Sequence, residues 1–598
     1  MLWINKSGPD QRSDYRFISV DLNVITYVDQ LMSVVALLQL NSIVGDITHN
    51  SSEISRLAAI AVENGATMAM TSELAICGYP PRDLLLEKDF VKRCEQAIAR
   101  IVSPIPILIG SPMGPMESNN LPSNGVIYCS GNGKIKNLYR KQLLPTYDVF
   151  DEARYFEKGN GISIIEDPNL MKLGITICED AWQHSGHVPS DYDDDPIAQL
   201  SNAHDSLSYS INLSASPYHA DKEDMRLDVV RSAAVSLNHP YLMCNQVGGN
   251  DDLIFDGRSI ISWPNGDVIQ GPAWKEAIIL VNLDMPKNSK IIEINGDECI
   301  FKDAKIFSIN DKSKNIGGDL DILEAITIGL RDYCNKSDIK SVVLGVSGGI
   351  DSAVTAAIAC RALGPDAVHG ISMPMRYSSG HSKDDAKILI KSLGAHFHQL
   401  ELSDLQNISE KYLNKLIPID DSSVNDIYLE NIQARLRGLT VMAYANAYGG
   451  MALATGNKSE LAIGYCTLYG DMCGGYAPIG DLYKSEVYRI ARLINEEARD
   501  NGKEPPIPES TILKPPSAEL KPNQEDQDSL PPYEVLDKIL EDWIERGIVN
   551  TEFDEKTVSW ILKKMKSNEH KRWQMPPAPR VSNRSFGQGW RQPLAAKK

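Results

Sequence analysis

The sequence predicts an α/β protein of two domains, and three observations carry that expectation. Its 598 residues exceed what one hydrophobic core usually organises. Strand-like and helix-like segments alternate in two separate series, divided by a weakly periodic stretch from Met285 to Gly318. Hydrophobic residues make up 42% and charged residues 23%, a globular mixture rather than a disordered or fibrous one.

The first series begins at Met32. Residues 1–31 lack both a basic n-region and a continuous apolar run, so they do not read as a signal peptide. They are expected to be a poorly ordered extension, or the product of a start codon assigned too early. Val34 to Leu40 reads as a buried strand. Asn50 is expected to cap a helix through Asn64, with Ile54, Leu57, Ala58 and Val62 on one face. Thr67 to Thr71 reads as a strand, Phe90 to Val102 as a helix and Ile105 to Gly110 as a strand. A hairpin over Gly125 to Arg140 turns at Gly131-Asn-Gly133. Strands at Leu173–Cys178, Ser208–Leu213 and Tyr241–Gln246 follow, then a hairpin turning at Pro264-Asn-Gly266. The pattern places helices outside and sheets inside, over residues 32–284.

Residues 285–318 are expected to form a linker, leaving 319–598 as the second domain. There a helix at Leu320–Cys334, a strand at Ser341–Val346, a helix at Ser352–Cys360, a strand at Ala367–Ser372 and a helix at Ser382–Leu393 make a doubly wound α/β pattern. Such folds gather ligands at the carboxyl ends of their strands. Lys503 to Pro532, rich in Pro, Glu, Asp and Ser, reads either as disorder or as a lid beside the site.

Bulk properties exclude several classes. A formal net charge of −19 and a pI near 5.1 argue against a general nucleic-acid binder, which needs a positive field. Ten cysteines with no CxxC pair fit a reducing, cytoplasmic compartment. No apolar run approaches the ~18 residues of a membrane span.

Three segments carry chemistry in the first half: Thr71-Ser-Glu-Leu-Ala-Ile-Cys-Gly-Tyr-Pro80, Tyr139-Arg-Lys-Gln-Leu-Leu-Pro145 and Gly174-Ile-Thr-Ile-Cys-Glu-Asp180. Each sets a reactive residue at a strand end: Glu73, Lys141 and Cys178. A thiol of pKa about 8.5 is mostly protonated at neutral pH. It needs a base to take its proton, and Glu73 can do so and later return it to departing ammonia. Lys141 can favour the thiolate and, with a backbone N–H, stabilise the tetrahedral oxyanion.

These segments resemble the nitrilase superfamily, whose fold is an αββα sandwich with a Glu–Lys–Cys triad. The resemblance makes Glu73 the general base, Lys141 the oxyanion stabiliser and Cys178 the nucleophile, with Glu152 a weaker candidate for a supporting carboxylate. One departure stands out: many relatives have His two positions after the lysine, where this chain has Leu143. Ser214-Ala-Ser-Pro-Tyr-His-Ala-Asp-Lys222 resembles the glutamine-binding segment of glutaminase domains. That likeness implies that Ser216 and Lys222 hold the amino-acid end of L-glutamine, with Tyr147 lining the pocket. Lys222 suits the carboxylate as a point charge.

In the second half the apolar strand Val342-Val-Leu-Gly-Val346 runs into Ser347-Gly-Gly-Ile-Asp-Ser352, and a helix follows. Gly348 and Gly349 let the backbone approach phosphate oxygens, to which Ser347, Ser352 and free helix N–H groups can donate. No Walker-type GxxxxGK[ST] is present. The motif resembles the pyrophosphate loop of enzymes that split ATP into AMP and pyrophosphate. Further segments at Glu430–Arg437, Ala454–Glu460, Tyr465–Gly475, Pro478–Lys484, Lys514–Leu520 and Glu569–Trp573 together resemble NAD synthetases. That resemblance puts ATP on Gly345, Val346, Ser347, Gly348, Gly349, Ile350, Asp351 and Ser352, with Thr455, Lys484 and Ser517. It puts deamido-NAD on Asn431, Glu460, Asp471 and Lys571, and Mg²⁺ on Asp351 and Glu460, hard oxygen ligands for a hard ion.

Joined, the halves resemble the glutamine-dependent NAD synthetases, which implies L-glutamine, ATP and deamido-NAD as substrates and a homo-oligomer. Two other readings remain open. One is a nitrilase-type amidase fused to a different pyrophosphate-loop adenylating ligase. The other is a nucleotide-binding regulator with dead sites, against which the intact Glu73, Lys141, Cys178 and 347–352 loop count.

Overall fold

A computed structural model describes residues 33–595, apart from 116–120, 131–133, 168–170, 189–191, 204–206, 309–316, 418–426, 518 and 522–523. The extension at 1–31, the Gly131-Asn-Gly133 turn and Ala518 therefore lie outside the described residues. Strands β1 (Val34–Gln39), β2 (Met68–Thr71), β3 (Ile107–Met113), β4 (Ser123–Cys129) and β5 (Ile135–Arg140) open the first domain. Then come β6 (Ser163–Asp167), β7 (Met171–Ile177), β8 (Tyr209–Ser214), β9 (Tyr241–Asn245), β10 (Val247–Asn250) and β11 (Leu253–Asp256). The domain closes with β12 (Ile260–Ser262), β13 (Asp267–Gln270), β14 (Ala277–Asn282), β15 (Lys290–Asn295), β16 (Glu298–Asp303) and β17 (Ile306–Ser308).

Two sheets stack with helices outside them. One runs β16-β15-β14-β1-β2-β3-β4-β5 and the other β17-β13-β12-β9-β8-β7-β6. The alternation of side chains along each strand explains the layering. Val35 and Leu37 of β1 enter the core between the sheets, beside Ile175 and Ile177 of β7 and Leu213 of β8. Ala36 and Leu38 point the other way, into a core shared with Ile54, Leu57 and Ala58 of the helix Ile47–Glu63. A strand apolar on both faces has no room for solvent on either, and the αββα sandwich is the result.

Three expectations change. The helix at 47–63 is capped by Asp46, whose side chain accepts from His49 N–H at 3.0 Å. Asn50 is instead buried within it and ties Ile43 to Ile76 through its amide. The segment Tyr241–Gln246 ends at Asn245, and the chain restarts as the separate hairpin β10–β11. Within the expected linker 285–318, residues 290–308 join the sheets: β15 and β16 extend one and β17 edges the other. Ile291, Ile292 and Ile294 make β15 apolar enough to join, a signal masked by the surrounding Lys, Asn and Gly.

The second domain holds a parallel sheet ordered β20-β19-β18-β21, from β18 (Val342–Gly345), β19 (Val368–Ser372), β20 (His396–Gln399) and β21 (Met451–Ala452). Val342 and Leu344 pack under the helices Asp319–Lys336 and Ile350–Leu363. Val343 and Ile371 pack on the opposite face against Val441 and Ala445 of the helix Ile427–Tyr448. Helices thus cover both faces, as a doubly wound fold requires. Each fully buried Leu or Ile here contributes about 1.5–3 kcal/mol of transfer free energy.

The domains meet on two surfaces. The helix Asp319–Lys336 lies on the β10–β11 hairpin, so closely that a Cβ on Gly249 would sit 3.2 Å from the Gly329 Cα. Arg258 pairs with both oxygens of Asp321 at 2.8 and 2.7 Å. The C-terminal segment then returns to the first domain: Arg580 N–H donates to Asp252 O at 2.8 Å, and Ala220 N–H to Val581 O at 2.9 Å. Among the described residues no helix is long and apolar enough to cross a membrane.

Candidate active sites

The first site lies where β2, β5 and β7 end. The side chains of Lys141 and Glu73 are both 0% exposed, with Lys141 Nζ 2.7 Å from Glu73 Oε1. The same ammonium reaches Glu152 Oε1 at 2.8 Å and Oε2 at 2.9 Å. Burial opposes the charge on Lys141, but the carboxylates of Glu152 and Glu73 outweigh it and hold the ammonium well above its ordinary pKa. Burial raises Glu152 to about 7. Glu73 is held in place by Asn124 Nδ2 at 2.7 Å and by Ala215 N–H at 3.1 Å.

Cys178 follows β7 directly, at φ 39°, and opens a short helical turn over Cys178–Ala181. A left-handed φ is costly for a residue with a Cβ, and such strain clusters at functional sites. Asp180 pins the turn, accepting from Ile177 N–H at 2.9 Å and from Tyr139 Oη–H at 2.8 Å. Burial pushes the Cys178 thiol well above its usual value and the nearby Glu73 carboxylate adds to that, while Lys141 works in the opposite direction. A thiol held protonated beside a carboxylate is a donor poised for transfer to that base.

Asp180 also answers the question posed by Leu143. Its Oδ1 accepts from the backbone N–H groups of Gln142 at 3.1 Å and Leu143 at 2.9 Å. The segment after Lys141 is anchored through its backbone, and Glu152 orients the ammonium, so no side-chain donor is needed at 143.

Of the glutamine-contact candidates, Tyr147 donates its hydroxyl to Glu179 Oε1 at 2.8 Å, and Tyr192 donates to the same oxygen at 3.0 Å. Lys222 begins the helix Lys222–Leu237 with Nζ 4.2 Å from the centre of the Trp182 ring. Burial, then Arg226 and Arg580, lower it to about 8. Ser216 is buried, its N–H bonded to Asn245 Oδ1 at 2.9 Å. Sequence reasoning missed Asn124, Tyr79, Tyr192 and Trp182. Asn124, Tyr192 and Trp182 sit in no quoted motif, whereas Tyr79 lies inside the Thr71–Pro80 segment and Asp180 inside the cysteine segment.

The second site is a cavity of about 400 Å³ at the carboxyl ends of β18 and β19. Gly345, Val346, Ser347, Gly349, Ile350, Asp351 and Ser352 line it, as do Thr455, Lys484 and Ser517. Gly348 does not line the cavity; it makes the loop possible. Its φ is 80°, and a Cβ there would fall 2.4 Å from Ser382 O. The loop opens the helix Ile350–Leu363, whose free N–H groups form a natural anion seat.

Asn431, Glu460, Asp471 and Lys571 line the same cavity. Thr467 joins two of them, donating its hydroxyl to Asn431 Oδ1 at 2.9 Å and its N–H to Asp471 Oδ1 at 2.7 Å. Lys571 Nζ donates to the carbonyls of Gly464 and Cys466, both at 2.7 Å. The described residues of 503–532 pack against the domain and reach the cavity. Ile507 exchanges bonds with the Asn495 amide at 2.8 and 3.1 Å, and Lys514 and Glu519 wall the cavity, bonded to each other at 2.7 Å.

Lys484 is the centre of charge. Its Nζ lies 2.6 Å from Asp351 Oδ2 and 3.3 Å from Glu460 Oε1. Asn457 caps the helix Lys458–Ile463 and donates to Asp351 Oδ1 at 2.9 Å. Burial raises Glu460 to about 8, against the pull of Lys484. Two carboxylates share one lysine, so the pair retains capacity for a further cation. Among the described residues no group of three or more His, Cys, Asp or Glu could hold a metal ion alone. Asp351 and Glu460 offer hard oxygen donors of the kind Mg²⁺ takes alongside phosphate oxygens and water.

An amide-cleaving cysteine centre and a nucleotide cavity in one chain define an amidohydrolase joined to an ATP-dependent ligase. Residues 34–291 match the family model described as carbon-nitrogen hydrolase, and residues 322–576 match that described as NAD synthase. A glutamine-dependent NAD(+) synthetase of Synechocystis is 39% identical over 579 residues, spanning 94% of this chain and 99% of that protein. One from Thermotoga maritima is 38% identical over 582 residues, spanning 94% and 98%. A solved glutamine-dependent NAD+ synthetase of Acinetobacter baumannii, in complex with ADP, superposes with a TM-score of 0.70 at 32% identity, covering 94% of this chain and 98% of its own. The chain belongs to the family of glutamine-dependent NAD(+) synthetases.

Proposed function

We propose that this enzyme converts deamido-NAD to NAD with L-glutamine as nitrogen source, splitting ATP into AMP and pyrophosphate and releasing glutamate. The observation that carries the reading is the presence in one folded chain of the Glu73–Lys141–Cys178 cluster and the 345–352 loop cavity.

In the first half Glu73 takes the Cys178 proton as sulfur attacks the glutamine amide. Lys141 stabilises the oxyanion, and Glu73 returns the proton to leaving ammonia. Water then hydrolyses the thioester. Ser216 and Lys222 hold the amino-acid end of glutamine, and Tyr147 lines the pocket.

In the second half Ser347, Ser352 and the helix N–H groups bind the ATP phosphates, with Lys484, Thr455 and Ser517 around them. Asn431, Asp471, Glu460 and Lys571 orient the nicotinate carboxylate of deamido-NAD toward the α-phosphate, and ammonia displaces AMP from the adenylate. Asp351 and Glu460 fit a Mg²⁺ ion, which when bound would neutralise phosphate charge.

Ammonia is mostly protonated in neutral water, so an enclosed path would preserve the nucleophile. A cavity of about 910 Å³ lies between the domains, with Tyr79 and Glu152 lining one side and Glu569, Arg572 and Trp573 another, and is the place to look for part of such a path. The reading extends to a cytoplasmic homo-oligomer. All ten cysteines are unpaired, and Leu439, Met442 and Tyr448 stand exposed along the helix 427–448. Sedimentation measures the oligomer.

Mass spectrometry after incubation with ¹⁵N-amide glutamine, unlabelled ammonium, ATP and deamido-NAD tests the whole reading. The expected product is NAD carrying ¹⁵N, with AMP and glutamate in equal amounts. AMP formed without NAD would point to another adenylating ligase.

A further inference from the structure

Lys336 is a half-buried lysine that neither half-reaction uses. It ends the synthetase domain's first helix, Asp319–Lys336, yet its Nζ reaches into the glutaminase domain. Nζ donates toward Asn41 Oδ1 at 2.7 Å, Asn250 Oδ1 at 2.8 Å, Gly249 O at 2.9 Å and Ser42 O at 3.1 Å. None of these acceptors carries a charge. Four neutral oxygens around one nitrogen suit an ammonium with three protons, because an amine lone pair would face an acceptor.

The contact continues inward. The Asn250 amide that accepts from Lys336 donates its own N–H to Tyr79 O at 2.8 Å. Tyr79 donates its hydroxyl to Glu152 Oε1 at 2.9 Å, and Glu152 holds Lys141 Nζ. At the other end, the helix Asp319–Lys336 packs on the helix Ile350–Leu363, which begins at the pyrophosphate loop. A continuous run of short bonds therefore joins the synthetase framework to the catalytic lysine of the other domain.

We infer that Lys336 is a positioning residue for glutamine hydrolysis, acting from the synthetase domain through Asn250 and Tyr79 on the Glu152–Lys141 pair. When helix 319–336 is seated, Asn250 is fixed, the Tyr79 loop is fixed, and Glu152 presents both oxygens to Lys141. When it is not, Glu152 loses its Tyr79 donor and Lys141 loses its orientation. Burial lowers Lys336 to about 8, which makes the contact sensitive in the alkaline range. Asp332 and Arg331 on its own helix and Glu276 and Asp251 from the glutaminase domain are the charged groups facing it. The inference rests on the assignment of Glu73, Lys141 and Cys178 as the glutaminase centre.

A double-mutant cycle on the full-length enzyme tests it, since spatial continuity alone does not demonstrate coupling. The variants are Lys336→Met, Tyr79→Phe and the pair, each assayed for glutamine hydrolysis with ATP and deamido-NAD present. Each single variant is expected to lower kcat by about tenfold, the worth of one hydrogen bond to a charged group, with KM for glutamine unchanged. The double variant is expected to be no worse than the weaker single one, and ammonia-driven synthesis to stay within about twofold of wild type. Effects that multiply, an unchanged kcat in Lys336→Met, or a loss that falls on KM would overturn the inference. If Lys336→Met does not fold, Asn250→Ala takes its place in the same cycle. A wild-type enzyme that hydrolyses no glutamine would instead overturn the underlying assignment, so the two failures are distinct.

Discussion

Each domain places a lysine between two carboxylates, and the two trios are used differently. Lys141 lies 2.7 Å from Glu73 and 2.8 Å from Glu152, with side-chain exposures of 0%, 0% and 5%. Lys484 lies 2.6 Å from Asp351 and 3.3 Å from Glu460, but those carboxylates are 20% and 15% exposed and open on a cavity. In the first trio the surplus negative charge is enclosed with a thiol, where it can serve only as a proton acceptor. In the second it faces the space that phosphates would fill, where it can serve a cation. Under the roles proposed above, burial more than residue type separates a base from a metal ligand.

The sharpest division comes from Cys178→Ala. It should lower glutamine-driven NAD formation by at least about 10⁴-fold while ammonia-driven formation stays within about twofold, measured as NAD produced from each nitrogen source. Equal losses from both sources would dissolve the contrast between the trios.

Lys484→Met tests the other side. Synthesis from either nitrogen source should fall by about 10²–10³-fold, because the two carboxylates at the phosphate seat are left without their cation. Glutamate release in the absence of nucleotide should change by less than about threefold. A loss confined to the glutamine-driven reaction would assign Lys484 to the wrong half.

Glu152→Gln keeps the shape of the first trio and removes one charge. Glutamine hydrolysis should fall by about 10–100-fold, as Lys141 loses half its counter-charge. Ammonia-driven synthesis, followed by product chromatography, should not move. Retention of full glutaminase activity would reduce Glu152 to packing.

The smallest effects should have opposite signs with pH. Lys222, lowered to about 8 by burial, carries its charge below that pH and loses it above. KM for glutamine should therefore rise by up to about tenfold per pH unit above 8. Glu460, raised to about 8, is protonated below that pH and ionised above. The Mg²⁺ concentration giving half-maximal ammonia-driven synthesis should therefore fall by up to about tenfold per unit as pH rises toward 8, then level off. Parallel trends would show that one group controls both measurements.

Residues whose chemistry is local were legible from the chain alone. Glu73, Lys141 and Cys178 each end an apolar strand, and Ser347 to Ser352 sits between a strand and a helix, so periodicity and residue type were enough to place them. β15 to β17 were not, because pairing with a neighbouring strand, rather than any strong period, makes those residues a sheet. Segment 503–532 was legible only as two alternatives, disorder or a lid beside the site, since its composition suits both, and it is the cavity that sets Lys514, Ser517 and Glu519 beside the loop.

The sequence by itself determined an α/β fold in two series and set Glu73, Lys141, Cys178 and the 347–352 loop at strand ends and a helix start, because those positions are written in short-range pattern; the roles proposed for them rest on family resemblance. Tertiary structure alone decided that Glu152 joins Lys141 and that Asp180 anchors residues 142 and 143. It alone carried Lys336 across the domain boundary to Asn250. Those contacts join residues far apart in the chain, and no local period records which buried charge will meet which partner.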